Sequence, residues 1–474
     1  MSIGRGWYIV IHDEETLKAA LAWFKDHPGL IAGIELRLDL ASDAARLPAP
    51  PVNLSVIVTD RGSRGNLTRA TRRDEICRRW GGVLDVDRQT DATAPADLSW
   101  IYSCHRSVDA SISVDQQIEE ARQSGAMAAK IVMPMGDLPA RRLALANARS
   151  QGSFPVVCFC AGNESPVDRL VALDRQQPWG YARTSSDDLQ IPGLPTIEAI
   201  VERYRFLSLQ PQRPLLAVIG ASVENHLAPG WHNRWLERHR SPTRMIPFSS
   251  ERPEGFLEPS ESLEFTALSV CAPFQKWARQ VAQPLDEDAA RWDHWDTLIR
   301  QPDRSWMGTS CATIAAMNLL AKTISPDDSV VILGANEDSV MLAQELTRSV
   351  SSVSILRTPR ISAAGLTEWC DDSKAIERAQ VLIAVDRSTD TVTPWHQRTP
   401  WHQSGFKGRV VLETGNPVDR KDRLGTRVHQ PPIIIDSLQF FAEQMRLQGQ
   451  WFHRRDVSPE EALQITEEAL KDLS

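Results

Sequence analysis

The sequence predicts an α/β protein whose first part is a (β/α)8 barrel and whose remainder is a second α/β part ending in a dinucleotide-type layout. Three observations carry the prediction. About eight short β-rich apolar runs recur over roughly the first 200 residues. Amphipathic stretches with helical spacing separate several of them. Further on, the strand, turn and helix of "DSVVILGANEDSVMLAQELTRS" are followed by another strand at "SVSILRT". Strand, helix, strand repeated eight times is the barrel pattern, although an open doubly wound sheet shares that periodicity.

Taken in order, the runs are "GWYIVI" (6–11), "AGIELRLD" (32–39), "NLSVIVT" (53–59), "GGVLDVD" (81–87), "SWIYSC" (99–104), "AAKIVMP" (128–134), "FPVVCFC" (154–160) and "WGYAR" (179–183). The helical stretches between them include "EETLKAALAWFKD", "SVDQQIEEARQSG" and "SPVDRLVALDRQ", with Ser, Asp or Glu near their starts. Two prolines in "LSLQPQRPLLAVIG" place the end of the barrel near residue 210. A second α/β segment follows from 214 to about 312, and the dinucleotide-type segment from 313 to 474. The closing "PEEALQITEEALKDL" reads as an amphipathic helix capped by Ser458 and Pro459, and the C-terminal helices are expected to return to the 214–312 segment.

Composition narrows the function classes. A chain of 474 residues is too long for one ordinary core. No apolar run approaches the roughly 20 residues of a membrane span, so no membrane partner is expected. The start "MSIGRGWYIVIHDEET" lacks a signal core, which predicts a cytoplasmic protein. Seven cysteines without a CxxC pair read as reduced thiols. A net charge of −8 argues against nucleic acid. The expected partner is a small-molecule substrate; a homodimer is compatible with this organisation.

Functional groups of a barrel sit at the C-terminal ends of its strands. Glu35 and Arg37 alternate with Ile34, Leu36 and Leu38 and share one face. His105 follows the fifth strand, Lys130 lies within the sixth, Arg169 starts the helix after the seventh, and Ser186 and Gln190 occupy the loop after the eighth. A lysine in an apolar surround loses proton affinity and becomes a nucleophile for ketones. A neighbouring histidine could move a proton beside the resulting iminium. Taken singly, a strand lysine is more often one that snorkels to the rim.

In family order, "ELRLD" (35–39), "YSCHRS" (102–107), "AAKIVMP" (128–134), "SPVDRL" (165–170) and "SSDDLQ" (185–190) make the first 210 residues resemble the type I 3-dehydroquinate dehydratases of the shikimate pathway. Those enzymes are TIM barrels. The resemblance implies Lys130 as Schiff-base lysine and His105 as general acid/base. It also implies Arg169 on the substrate carboxylate, Glu35 and Arg37 on its hydroxyls, Ser186 and Gln190 in the closing loop, and no cofactor. "TDRGSRGN" keeps Arg61 but lacks the family's following carboxylate, for which Asp85 or Asp87 could substitute. Arg106 stands at a usual acid, and Asp187 and Asp188 at a Pro-Gly turn.

From residue 214 the chain resembles shikimate dehydrogenase, a substrate domain followed by a Rossmann-type domain. Gly220, Pro229, His232 and Asn233 follow the family's opening pattern. Yet His226 and Ala228 stand at the shikimate-binding serines, Gln275 at the catalytic lysine with Lys276 adjacent, Ser310 and Ala312 at an asparagine and aspartate, and Phe440 at a glutamine. "GANEDS" places Asn336, Glu337 and Asp338 where glycine and small residues usually cradle a pyrophosphate. The expectation is a dinucleotide-type fold without its dinucleotide. The alternative is an NADP-dependent dehydrogenase of altered substrate using Lys276, with Gly334, Ala335 and Arg357 on the cofactor. A non-catalytic scaffold or sensor is the third. The tryptophans of "KWARQ", "RWDHWDTL", "TPWHQRTPWHQ" and "GQWF" read as packing, and no metal site is expected despite the two histidines of the repeat.

Overall fold

A computed structural model describes residues 3–41, 44–50, 54–61, 66–88, 94–105, 113–133, 154–161, 167–174, 177–185, 191, 193–210, 213–250, 252–256, 265–334, 337–356, 360–361, 367–368, 373–385, 406–414 and 433–472. The chain divides into two compact units, Met1–Pro229 with Leu236–Phe265, and Gly230–Trp235 with Thr266–Ser474.

The first unit holds the eight predicted strands: β1 (Gly6–Ile11), β2 (Ile31–Arg37), β3 (Ser55–Thr59), β4 (Val83–Asp87), β5 (Trp100–His105), β6 (Ala128–Met133), β7 (Val156–Cys160) and β8 (Trp179–Ala182). They form one sheet in the order β7-β6-β5-β4-β3-β2-β1-β8. Every ladder is parallel. This is a nearly closed barrel, not an open doubly wound sheet, because β1 lies between β2 and β8. Among the described residues, four helices sit in the connections: α1 (Glu14–Asp26), α2 (Leu67–Trp80), α3 (Val114–Gln123) and α4 (Val167–Ala172). Local sequence fixes their starts. Asp13 and Thr16 form a reciprocal capping box at α1, Ser113 and Gln116 another at α3, and Asn66 accepts from the Arg69 N–H at α2.

Alternation sorts the strand side chains into two layers. Tyr8, Val10, Ile57, Val83, Ile101, Ala128, Val132, Val157, Phe159, Trp179 and Tyr181 pack together inside. Tyr102, Cys104, Ala129 and Ile131 pack outward with Val114 and Ile118 of α3. Across the β7–β8 seam, where the hydrogen-bonded order ends, Phe159 and Tyr181 meet edge to face at 6.1 Å. Beyond the barrel, β9 (Leu215–Gly220) and β10 (Arg244–Ser249) pair in parallel. Arg213 is held by a buried ion pair to Asp174 at 3.1 Å.

In the second unit, β11 (Phe265–Val270), β12 (Gln283–Pro284), β13 (Thr297–Arg300) and β14 (Trp306–Thr309) form a mixed sheet in the order β11-β13-β14-β12. Helix α5 (Cys311–Leu320) leads to a five-stranded parallel sheet, β16-β15-β19-β20-β21. Its strands are β15 (Ser329–Leu333), β16 (Ser352–Leu356), β19 (Val381–Ala384), β20 (Val410–Glu413) and β21 (Ile433–Ile435), with a two-residue hairpin, β17 (Arg360–Ile361) and β18 (Thr367–Glu368), between. This is the Rossmann-type arrangement. Strand order reverses at β15, so the crevice between the C-terminal ends of β15 and β19 is its switch point. One face packs on α5, on α6 (Glu337–Leu346) and on α7 (Ser437–His453); Ile376 and Ala379 cover the other. The final helix α8 (Pro459–Lys471) starts at Ser458, which accepts from the Glu461 N–H. It receives the Trp231 Nε1 hydrogen on the Ala462 carbonyl at 3.1 Å, and Gln448 of α7 donates to Ser269 and Thr297 of the first sheet.

Among the described glycines of the barrel, the tightest backbone approach is at Gly33, where an added Cβ would stand 2.1 Å from the Ser55 carbonyl oxygen. Neither ladder partner can withdraw. Gly33→Ala is therefore expected to cost about 3 kcal/mol or more, whereas Gly29→Ala, with nothing within 4 Å of the new methyl, should stay within about 0.5 kcal/mol of the parent. Urea unfolding of the two variants measures the difference.

Candidate functional site

Strand parity places the barrel's charged side chains. Lys130 has the parity of Ala128 and Val132, which belong to the inner layer, so its side chain enters the barrel. Glu35 and Arg37 on β2 enter from the opposite side, and Asp85 enters from β4. A cavity of about 240 Å³ at the C-terminal ends of the strands is lined by Glu35, Arg37, Arg61, His105, Lys130 and Arg169 together with Val10, Val132, Phe159, Ala161, Tyr181, Ile191 and Leu194. The structure thus brings six of the predicted site residues to one cavity. Ser186 and Gln190 lie outside the described residues. His105 is the last residue of β5 instead of the first after it, a one-residue difference in strand length.

The lysine is not in a purely apolar surround. Lys130 is 2% exposed, its Nζ donates to Asp85 Oδ2 at 2.7 Å and to Glu35 Oε1 at 3.3 Å, and it lies 4.3 Å from the centre of the Tyr181 ring. Thr59 Oγ1 donates to the same Glu35 oxygen at 2.8 Å. Burial by itself would lift the Asp85 carboxyl; the charge and hydrogen bond of Lys130 outweigh it and hold Asp85 below the ordinary carboxylate range. Arg37 grips Asp39 through two hydrogen bonds of 2.9 and 2.7 Å. Against the effect of burial, Asp39 and the charge of Glu35 raise the proton affinity of the Arg37 guanidinium. Arg169, stacked 4.0 Å over the Phe159 ring, is pushed down by burial to about 10. It stays cationic at neutral pH.

His105 is lowered from 6.5 to about 3, first by burial and then by the positive charges of Arg61 and Lys130, with Asp85 opposing them. Its ring is a neutral base at neutral pH. Asp85, one of the two sequence candidates for orienting it, instead hydrogen-bonds Lys130 and acts on His105 through charge. A cavity that combines an amine, a neutral imidazole and three guanidinium groups can bind a carboxylate, attack a carbonyl and move a proton beside it. Sequence reading missed Tyr181, Phe159 and Thr59; all three share strand parity with inner-layer residues, the one signal that could have found them.

In the second unit, Gly334 follows β15 with φ +107°, and a Cβ there would meet the Val385 carbonyl oxygen at 2.4 Å. The turn requires glycine whether or not a phosphate approaches it. At the first turn of α6, His294 Nε2 contacts Asp338 Oδ1 at 2.7 Å, and Trp292 Nε1 donates to Glu345 further along the helix at 3.1 Å. Glu413 is buried at the end of β20. Ala335 and Arg357 lie outside the described residues. Asp296 caps α5, accepting from the Cys311 and Ala312 N–H groups at 2.9 and 2.7 Å and from Thr297 and Gln444 side chains. Gln444 and Asp296 were not singled out from sequence. Phe440, one turn before Gln444, packs in the core; Gln275 is buried and Lys276 exposed. Trp277, Trp292 and Trp295 are buried packing residues, whereas Trp451 is 37% exposed and the "TPWHQ" repeat lies outside the described residues. Among the described residues, no group of three or more His, Cys, Asp or Glu is placed to hold a metal, and no helix is long and apolar enough to cross a membrane.

Comparison with known proteins finds similarity to both halves. The chain is similar to the chloroplastic bifunctional 3-dehydroquinate dehydratase/shikimate dehydrogenase of Arabidopsis thaliana, 20% identical over 216 residues, 45% of this chain and 36% of that protein. The chain spans about a third of the length of that curated relative. Among solved structures it is similar to the dehydroquinate dehydratase and shikimate dehydrogenase of S. pombe AroM, at 15% identity and a TM-score of 0.40 over 98% of both chains. It is also similar to shikimate 5-dehydrogenase of Thermus thermophilus in complex with NADP(H) and shikimate, at 17% identity and a TM-score of 0.43 over 54% of this chain and 99% of that one. No family model matches the chain.

The depressed His105 yields a pH prediction whose sign is fixed. Below 6.5 an unfolded histidine takes up a proton that the folded one refuses until about 3, so stability is present above that window and falls as pH drops through it. Carbon-13 labelled histidine should show His105 neutral down to about pH 5 by NMR, and His105→Gln should flatten the loss of stability between 6.5 and 3. Asp85→Ala is expected to destabilise the barrel by about 3–5 kcal/mol in urea unfolding, since it strips a buried cation of its nearest partner.

Proposed function

We propose that the first 210 or so residues form a Schiff-base dehydratase acting on 3-dehydroquinate. The observation that carries this reading is the convergence of Lys130, His105 and the guanidinium groups of Arg37, Arg61 and Arg169 on one cavity. The motif resemblance supplies the substrate. The Lys130 amine, after passing a proton to the Asp85 carboxylate that already accepts from it, adds to the C3 ketone. The carbinolamine hydroxyl leaves as water with the proton that Asp85 took up, which restores the carboxylate and leaves a protonated iminium. His105 removes a C2 proton, the electrons pass into the iminium as an enamine, and their return expels the C1 hydroxyl, which leaves as water with the proton from His105. Hydrolysis of the iminium returns the amine and releases 3-dehydroshikimate. The iminium is the electron sink, so the scheme needs no cofactor. A substrate carboxylate held by Arg61 and Arg169 would offset part of the positive field on His105 and bring its basicity nearer to neutrality.

We propose further that the dehydrogenase-like remainder, a substrate domain at 214–312 and a nucleotide-type domain at 313–474, does not bind NADP. Asp338, paired with His294, puts a carboxylate at the first turn of α6, where the helix terminus favours an anion, and the buried Glu413 adds charge at the same edge of the sheet. A pyrophosphate would meet acids there, not free N–H groups.

Incubation of the protein with 3-dehydroquinate should give a conjugated enone by ultraviolet absorbance. Lys130→Arg keeps the cation but removes the nucleophile and should abolish the signal; His105→Gln should lower the rate by about 10²–10⁴-fold. Enone formation by the arginine variant at the parent rate would remove Lys130 from the mechanism. For the second half, NADPH titrated against tryptophan fluorescence should produce no saturable change, and a saturable change would contradict the reading.

A further inference from the structure

Arg37 and Arg169 both line the cavity, but they differ in what already neutralises them. Arg37 enters from β2, and Asp39, two residues on, accepts from its Nε at 2.9 Å and its Nη2 at 2.7 Å. The pair is sheltered, with side chains 6% and 13% exposed. Burial alone would lift the Asp39 carboxyl; the hydrogen bonds and charge of Arg37 outweigh it and hold Asp39 below the ordinary carboxylate range. Among the described residues no carboxylate clamps Arg169 in this way. It lies over the Phe159 ring, its sequence neighbour Asp168 accepts from the Cys160 N–H at 3.3 Å, and the like charge of Arg61 bears on it.

The difference decides what each guanidinium can take from a ligand. An arginine carries five N–H donors, so Arg37 keeps N–H groups for the cavity although its charge is cancelled. A neutral oxygen can accept from them. A carboxylate placed there would gain little from a neutralised cation and would face the carboxylates of Asp39 and of Glu35, whose charge also acts on Arg37. Around Arg61 and Arg169 the excess charge is positive, and an arriving carboxylate relieves it. We propose that Asp39 is a specificity-determining residue: by neutralising Arg37 it confines carboxylate binding to the Arg61–Arg169 side, so that the cavity takes a cyclic keto acid with one carboxylate and discriminates against one with a second carboxylate toward β2. The proposal rests on the reading of this cavity as the substrate site.

The test compares two ring ketones, 3-oxocyclohexane-1-carboxylate and 5-oxocyclohexane-1,3-dicarboxylate, by calorimetric titration of the whole protein. Both set a carboxylate two ring bonds from the ketone, as in 3-dehydroquinate, and the second adds a carboxylate on the other side. The parent should bind the diacid no tighter than the monoacid. Asp39→Asn, which removes the charge at nearly constant shape, should shift the affinity ratio about tenfold toward the diacid. Asp39→Glu should keep the parent ratio, and Asp39→Asn combined with Arg37→Gln should lose the gain, which a general loosening of the fold would not reproduce. A ratio unmoved by Asp39→Asn overturns the inference, as does a parent that binds the diacid about tenfold tighter. Borohydride trapping of 3-dehydroquinate is read on the same samples: a missing Lys130 adduct removes the Schiff-base step and leaves the affinity ratio to stand or fall alone. Failure of the parent to bind either acid overturns the cavity as substrate site, and this inference with it.

Discussion

The barrel is organised around one buried ion cluster: the Lys130 ammonium between Asp85 and Glu35. Charges at this depth are expensive to desolvate, and burying any one of the three alone would destabilise the fold. Together they satisfy one another. Thr59 takes a further lone pair of Glu35, and the Tyr181 ring covers the cation. Because its members come from β2, β3, β4, β6 and β8, the cluster also ties β6 and β8 to β2 and β4, with which they share no ladder. A barrel filled with aliphatic residues at these positions would be simpler to stabilise.

The same cluster sets the electrostatics of its surroundings. Lys130 and Arg61 push His105 toward its neutral form, while Lys130 keeps Asp85 ionised. The result is an unprotonated imidazole near an ionised carboxylate, with guanidinium groups facing the same space. The second unit shows the opposite tendency. There the polar groups consume one another: Asp296 is satisfied by two helix N–H groups, Thr297 and Gln444, and Asp338 is paired with His294.

How far the fold could be read from sequence follows from what periodicity measures. All eight barrel strands were legible because each is a short apolar run next to a helical stretch, and two helix starts carried Asp13 and Ser113 as caps. Closure was not legible from periodicity, which is the same in an open sheet; the motif resemblance implied it, and it rests on β1 pairing with β8. Six residues that line the cavity were named through motifs, but their hydrogen-bond partners were not. Asp85 is a sequence candidate for the partner of His105, yet parity alone cannot rank a histidine against a lysine as the nearer group. Tyr181 reads as one more core aromatic, and only the distance to Nζ gives it a different meaning. In the second unit, alignment pointed to Phe440, whereas the polar side chain that reaches Asp296 is Gln444, one helical turn later on the same face.

The central claim is that Lys130 is a nucleophile held in readiness and not a structural cation. A crystal structure of the protein soaked with 3-dehydroquinate and reduced with borohydride tests it most directly. The account predicts continuous electron density from Lys130 Nζ to the ring carbon, with the carboxylate against Arg61 and Arg169. Unmodified Lys130, still bridging Asp85 and Glu35 beside a bound or absent ligand, would contradict it.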